Sequence, residues 1–197
     1  WLADYDRAAE ADRPLPFPPA LPPDPRSNGL PSGPYNAMIA PLQPYAIRGA
    51  IWYQGESNAS RAYQYRSLFV DLIRNWRRDW AQGDFTFLAV QLAPWDRNLK
   101  RSLAEITAAP TESDWAELRE AQVYATRALP KVGLAIITDV GDKDDIHPAK
   151  KQPVGERLAR LGRKIAYRES IVATGPTYKK MILTGGKAVL SFDNVGT

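Results

Sequence analysis

The sequence predicts an α/β fold, a parallel sheet flanked by helices on both faces in three layers, with a β-rich piece beginning near its end. Three observations carry this. Apolar runs of strand length alternate with amphipathic helical patterns through the middle of the chain, the signature of strand–helix–strand units. One of these runs, FTFLAVQL at residues 85–92, is apolar almost throughout, as a strand buried on both faces must be. The alternation stops after residue 170, where YKKMILT and KAVLSF meet through Gly185 and Gly186 in the manner of a β-hairpin.

Taken in order, residues 1–34 open with WLADYDRAAEADR, a possible helix end, and then become proline-rich, with nine of the chain's 17 prolines between positions 14 and 34. Each proline fixes φ and removes a donor, so this stretch predicts an extended connector or insertion. NAMIAPLQPY predicts a short helical piece with Met38, Ile39 and Leu42 on one side. Arg48–Gln54 reads as a short buried strand ending in the polar turn QGESN. Ala62, Tyr65, Phe69, Leu72, Ile73, Trp76 and Trp80 recur at steps of three and four and predict a helix over 60–80. A long polar loop is expected at 94–114. Trp115, Leu118, Gln122, Ala125 and Leu129 mark the next helix. GLAIITD at 133–139 is a third strand, and VGDKDDIHP a loop after it. Pro153 then suits the first turn of a helix over 153–167. The expected organisation is a connector or insertion at 1–34, an α/β domain at 35–170 and the beginning of a β-rich region at 171–197.

Composition excludes several classes. The 197 residues are 44% hydrophobic and 24% charged, enough for a real core. The net charge of +4 is spread along the chain and gives no nucleic-acid footprint. The absence of cysteine rules out a disulfide framework and a thiolate metal site. No apolar run reaches the roughly 18 residues of a membrane span, and no signal peptide is visible. The chain does not begin with Met and breaks off within a strand-and-turn pattern, so a piece of a longer protein is expected. Oligomeric state has no sequence signal.

The residues with chemistry cluster after two strands. His147 is the chain's single histidine, so any imidazole chemistry must use it. It follows Asp142, Asp144 and Asp145, and a carboxylate beside an imidazole orients the ring and stabilises its cation. Asp144, three residues ahead, is placed to fold back to Nδ1, whereas Asp145 is expected to point elsewhere. The acidic cluster lacks the spacing of a calcium loop, and one histidine is too few for a hydrolytic metal, so no metal is expected. In QGESN, Gln54 offers an amide to a developing oxyanion, Gly55 lets backbone approach a ligand, and Glu56 is a carboxylate at a strand end. Ser57 lacks the second glycine of a G-x-S-x-G elbow. Trp52, Tyr53 and Trp95 border strand ends and are candidates to line a pocket.

The segments YNAMIAPLQPYAIRGAIWYQGESN, FLAVQLAP, WAELREAQ and DVGDKDDIHPAKKQPVGERLA, in this order, resemble the sialate O-acetylesterases. These are SGNH-type serine esterases, related to acetylxylan esterases. The resemblance spans about residues 35–167. It implies an SGNH hydrolase-like fold, removal of acetyl groups from sugars such as sialic acid, no cofactor, an acetylated carbohydrate as partner, and an exported protein, secreted or periplasmic. His147 matches the family's general base and Gln54 its oxyanion turn. Asp144 stands where a D-x-x-H acid would stand, with Glu56 the other candidate for the acid. Asn36 falls in the family's YN-x-MI segment. The family's nucleophilic serine lies in a G-[QD]-S-N-like block near the amino terminus. The chain contains none, so the resemblance places the nucleophile upstream of Trp1. The fragment alone is then expected to be inactive. The alternative is a non-catalytic carbohydrate-binding module on the same fold.

Overall fold

The computed structural model describes residues 30–96, 100–108 and 112–195, together with Ala3, Asp6, Arg7, Glu10 and Ala11. Most of the proline-rich segment, at residues 12–29, lies outside the described residues. The chain divides into two compact units, Trp1–Tyr45 and Ala46–Thr197.

In the first unit, the expected helical piece is a π-helical turn over Tyr35–Ile39 followed by a 3-10 turn over Ala40–Leu42. Pro41 has no N–H to continue an α-helical ladder, and the Ala40 N–H reaches back five residues to the Tyr35 carbonyl instead. Met38 and Leu42 are exposed rather than packed as one face. Asn36 is exposed on this turn, with its N–H on the Ser32 carbonyl at 2.8 Å.

The second unit is built on a parallel sheet of three strands in the order β1–β2–β3: β1 (Gly49–Trp52), β2 (Thr86–Val90) and β3 (Val132–Ala135). The helices are α1 (Ala62–Trp80), the short α2 (Leu103–Thr107), α3 (Asp114–Ala128) and α4 (Gln152–Ile165). All five residues of β2 are buried, as its sequence demands. Its side chains alternate between two cores. Phe87 meets Trp52, Phe69 and Trp76 on the α1 side. Leu88 and Val90 join Ala135, Ile137, Val154, Leu158 and Leu161 on the α4 side. Phe69 and Phe87 are wholly buried, each contributing about 2–3 kcal/mol of apolar burial.

Three details depart from the sequence pattern. β1 is shorter than Arg48–Gln54 and is not a buried strand: it lies at a sheet edge, and Ile51 is 67% exposed. The long polar loop contains α2, which starts in a complete capping box. The Ser102 hydroxyl accepts from the Glu105 N–H, and the Glu105 carboxylate accepts from the Ser102 N–H. The third strand keeps sheet pairing only to Ala135, and residues 138–139 already form a turn.

Buried Arg77 of α1 clamps the opposite end of the sheet. It donates to the carbonyls of Phe85 (3.1 and 2.8 Å) and Pro130 (2.7 Å). The expected hairpin is formed by β4 (Thr177–Thr184) and β5 (Lys187–Asp193), antiparallel. Gly185 and Gly186 both have positive φ, as a two-residue turn of the I′ kind requires. A register irregularity between Tyr178 and Lys180 sets Tyr178 opposite Phe192, on the face that also carries Met181 and Leu190. No helix among the described residues is long and apolar enough to cross a membrane.

Candidate active site

Because β1, β2 and β3 are parallel, their carboxyl ends share one side, the side on which open α/β sheets bind ligands. Three segments leave there: QGESN after β1, QLAPWD after β2, and the His147 loop after β3. Specific contacts join them. The Lys151 ammonium, four residues beyond His147, sits 5.1 Å over the Tyr53 ring. The Asp96 N–H donates to the Lys143 carbonyl at 2.7 Å. Gly141 packs so tightly on Pro94 that a Cβ has no room.

The turn after β1 depends on glycine. Gly55 has φ of +148°, and a Cβ there would lie 2.9 Å from Leu118 Cδ2. Gly55→Ala is expected to lower stability by about 2–3 kcal/mol. A thermal melt should read this as a Tm loss of roughly 5–10 °C; an unchanged Tm would show that the turn can relax. Beyond Gly55 the chain enters a 3-10 helix over Glu56–Arg61, which places Asn58 back beside Gln54.

Gln54 is held at three of its polar atoms. Its Nε2 donates to Asn58 Oδ1 at 2.9 Å. Its Oε1 lies 3.2 Å from the Tyr65 hydroxyl. Its backbone carbonyl accepts from Gln122 Nε2 at 3.3 Å, with the Tyr65 hydroxyl 3.4 Å away. Burial pushes the Tyr65 phenol up to about 12, the Glu56 charge adding to the rise. Tyr53 is raised by the same two causes in the same order. Glu56 is half-buried and Ser57 is exposed on the 3-10 helix.

The sequence reading took Gln122 only as part of an apolar helix face. It is 0% exposed and all its polar atoms are used. Oε1 accepts from the Leu92 N–H at 3.0 Å, and Nε2 serves the carbonyls of Val90 and Gln54, both at 3.3 Å. Arg119 Nε donates to the Leu92 carbonyl at 3.0 Å, and Trp115 Nε1 to the Ala93 carbonyl at 2.8 Å. One stripe of α3 thus pairs the backbone of β2 where the strand outruns its neighbours. The available signal was a glutamine on an otherwise apolar stripe. Tyr65 and Asn58 were missed as site residues because one reads as core and the other as turn.

Trp95 is half-buried at the exit of β2, 5.2 Å from the Trp115 ring. Next to it Asp96 is buried and bonded by Arg101, whose hydrogen bonds lower its pKa. At the exit of β3, Asp139 forms a two-pronged pair with Arg157, Nη1–Oδ1 2.5 Å and Nη2–Oδ2 2.6 Å. These bonds hold the Asp139 carboxyl down at about 2. A folded pKa below the unfolded value of about 3.9 gives stability that is present above pH 4 and lost as pH falls toward 2. Asp139→Asn is therefore expected to flatten the fall of urea-unfolding stability between pH 4 and 2.

His147 stands on the loop after β3 with its side chain 88% exposed. Its N–H donates to Asp145 Oδ1 at 2.8 Å, an Asx-type turn, and that same oxygen is 3.7 Å from Nδ1. Asp144 has its N–H on Asp142 Oδ1 and its carboxylate on Lys143 Nζ at 2.6 Å. The carboxylate beside the ring is thus that of Asp145, the one expected to point away, because Asp142 and Asp145 each cap the backbone two residues on while Asp144 pairs with Lys143. Among the described residues no group of three or more His, Asp or Glu converges as a metal cage. A cleft of about 570 Å³ opens beside β3, lined by Ile136, Asp139, Glu156, Arg157 and Arg160, and includes neither Gln54 nor His147.

The chain is similar to known proteins in sequence and in fold. A family described as "Carbohydrate esterase, sialic acid-specific acetylesterase" matches residues 27–164. The sialate O-acetylesterase of Mus musculus is 33% identical over 170 residues, 80% of this chain and 30% of that protein. The Homo sapiens sialate O-acetylesterase is 31% identical over the same share of this chain and 32% of its own length. The crystal structure of a carbohydrate acetylesterase from Xanthomonas citri superposes with a TM-score of 0.71 at 43% identity, covering 81% of this chain and 35% of that one. The chain spans about a third of the length of the relatives it matches. It belongs to the carbohydrate esterase family of sialic acid-specific acetylesterases.

Proposed function

We propose that the protein is a carbohydrate O-acetylesterase and that this chain supplies its base and its oxyanion support. The Lys151–Tyr53 contact carries the reading, because it ties the His147 loop to the Gln54 turn on the carboxyl side of the sheet. A serine provided by polypeptide upstream of Trp1, as the family resemblance suggests, attacks the acetyl carbon while His147 takes its proton. The tetrahedral oxyanion receives the N–H of Gln54. Collapse releases the sugar hydroxyl, which takes the proton from His147. Water then removes the acetyl group as acetate by the same route. No cofactor enters.

The D-x-x-H spacing supports Asp144 as the acid that orients His147. Its exposed ion pair with Lys143 is weak, so rotation toward the ring costs little. The 3.7 Å approach of Asp145 favours that residue instead. Glu56 is the other candidate for the acid and Trp95 a proposed wall of the sugar site, and the protein is proposed to be exported, secreted or periplasmic. The test is acetate release from O-acetylated sialic acid and from p-nitrophenyl acetate by the full reading frame, with and without EDTA. Release insensitive to EDTA is expected; no release from either ester would overturn the proposal.

A further inference from the structure

We propose that the exit of β2, at residues 93–96, is the mount that sets where His147 stands, and that Gly141 and Asp96 are positioning residues for the base. The inference rests on the esterase reading above.

The His147 side chain is 88% exposed, so packing on the ring does not fix it. Its N–H bonds to Asp145, within the same loop. A base must nevertheless stand within hydrogen-bond reach of the proton it takes. Its place is therefore decided by where the loop as a whole is held. The loop is rooted in the core at Val140 and is buried again at Pro148, next to the histidine. Between these ends it is held on the exit of β2 at two points. At the first, Gly141 lies against Pro94. Its φ is outside the left-handed region, so glycine serves here for space and not for conformation. A Cβ would lie 2.3 Å from Pro94 Cδ, 2.9 Å from Pro94 N and 3.0 Å from Ala93 Cβ. At the second, the Asp96 N–H donates to the Lys143 carbonyl at 2.7 Å.

The mount is itself held. The Ala93 carbonyl accepts from Trp115 Nε1 at 2.8 Å, and Leu92 before it is bonded to Gln122 and Arg119 of α3. Pro94 fixes its own φ. Asp96 is 6% exposed, and its carboxylate accepts from Arg101 Nε at 3.0 and 3.3 Å. A buried carboxylate keeps its place only while its cation does, because unpaired it gains by turning out to water. Such a turn would carry the Asp96 N–H off the Lys143 carbonyl. The Asp96–Arg101 pair thus reaches the His147 loop through one backbone hydrogen bond.

Gly141→Ala in the full-length enzyme adds one methyl group and removes nothing. Ordinary contact begins at 3.4 Å, so with the mount held the loop must give by about 1 Å. This is expected to lower kcat for p-nitrophenyl acetate about 10- to 100-fold, measured below the melting transition, with KM changed less than about two-fold. Asp96→Ala builds no clash and is the second probe if Gly141→Ala folds poorly. It should lower kcat about 3- to 10-fold, and Asp96→Asn, which keeps an oxygen for Arg101, should recover most of that loss. Both losses must pass through the imidazole. In a His147→Ala background each change should therefore alter the residual kcat by less than about two-fold. Effects that persist undiminished without His147, a wild-type kcat in both Gly141→Ala and Asp96→Ala, or an Asp96→Asn enzyme no better than Asp96→Ala overturns the mount while leaving the esterase standing. A His147→Ala enzyme with full kcat overturns the base and this inference together, and an inactive wild type overturns the function itself.

Discussion

His147→Ala in the full reading frame is expected to lower kcat for acetyl ester hydrolysis by about 10³-fold or more, with Tm unchanged. The two halves of this expectation have one cause. The imidazole is 88% exposed, so removing it opens no cavity and its loss should read out as chemistry rather than folding. Residual turnover should remain, because the oxyanion donors and substrate binding act without the base. A variant that retains wild-type kcat would end the assignment of His147 as base. The orienting acid follows from the same assay. Asp144→Asn and Asp145→Asn each leave the fold in place, since both carboxylates are on the surface. The one that loses kcat roughly in step with His147→Ala is the acid. If the loss falls on Asp144, the pair with Lys143 must open during turnover. If it falls on Asp145, the Asx-type turn already holds the catalytic arrangement. Asp145→Asn would then take the charge from beside the ring while its Oδ1 still accepts from the His147 N–H, so the loss should fall on kcat with KM little changed.

The parts of this molecule that were legible in its sequence are those fixed by strong periodicity. FTFLAVQL can only be satisfied between two cores, and Phe87 and Leu88 do face opposite ones. The helices over 62–80, 114–128 and 152–165 follow from steps of three and four, and the paired glycines specify the hairpin turn. β1 was overextended because an apolar run does not state how many neighbours it will have; at a sheet edge Ile51 has too few to cover it. The capping box at Ser102 and Glu105 was legible as S-x-x-E but sat inside a stretch read as loop. The aspartate loop was not legible for a different reason. In DKDDIH several carboxylates compete for N–H groups two residues on, and these local bonds are nearly equal in energy, so no spacing rule selects which one reaches the ring. Gln54 and His147 were legible as chemistry-bearing types at strand ends. Tyr65 was hidden because a buried tyrosine at helical spacing looks like core, although its hydroxyl bonds to Gln54 on the turn after β1.

Gln122→Leu should be the most destabilising of the substitutions considered, by about 2–5 kcal/mol. Leucine fits the volume and strips the polar atoms. The Leu92 N–H and the Val90 carbonyl, both bonded to Gln122 in the native fold, are then left buried without partners, each costing about 1–3 kcal/mol. Urea unfolding should show the loss as a lower midpoint at constant slope. Gln122→Glu should do worse near neutral pH. Its carboxylate can still accept from Leu92 but cannot donate to Val90 or Gln54, and it carries a charge into a site with no exposure. A variant that loses less than about 1 kcal/mol would show that α3 does not clamp the exit of β2, since backbone groups buried this deeply cannot be left unpaired so cheaply.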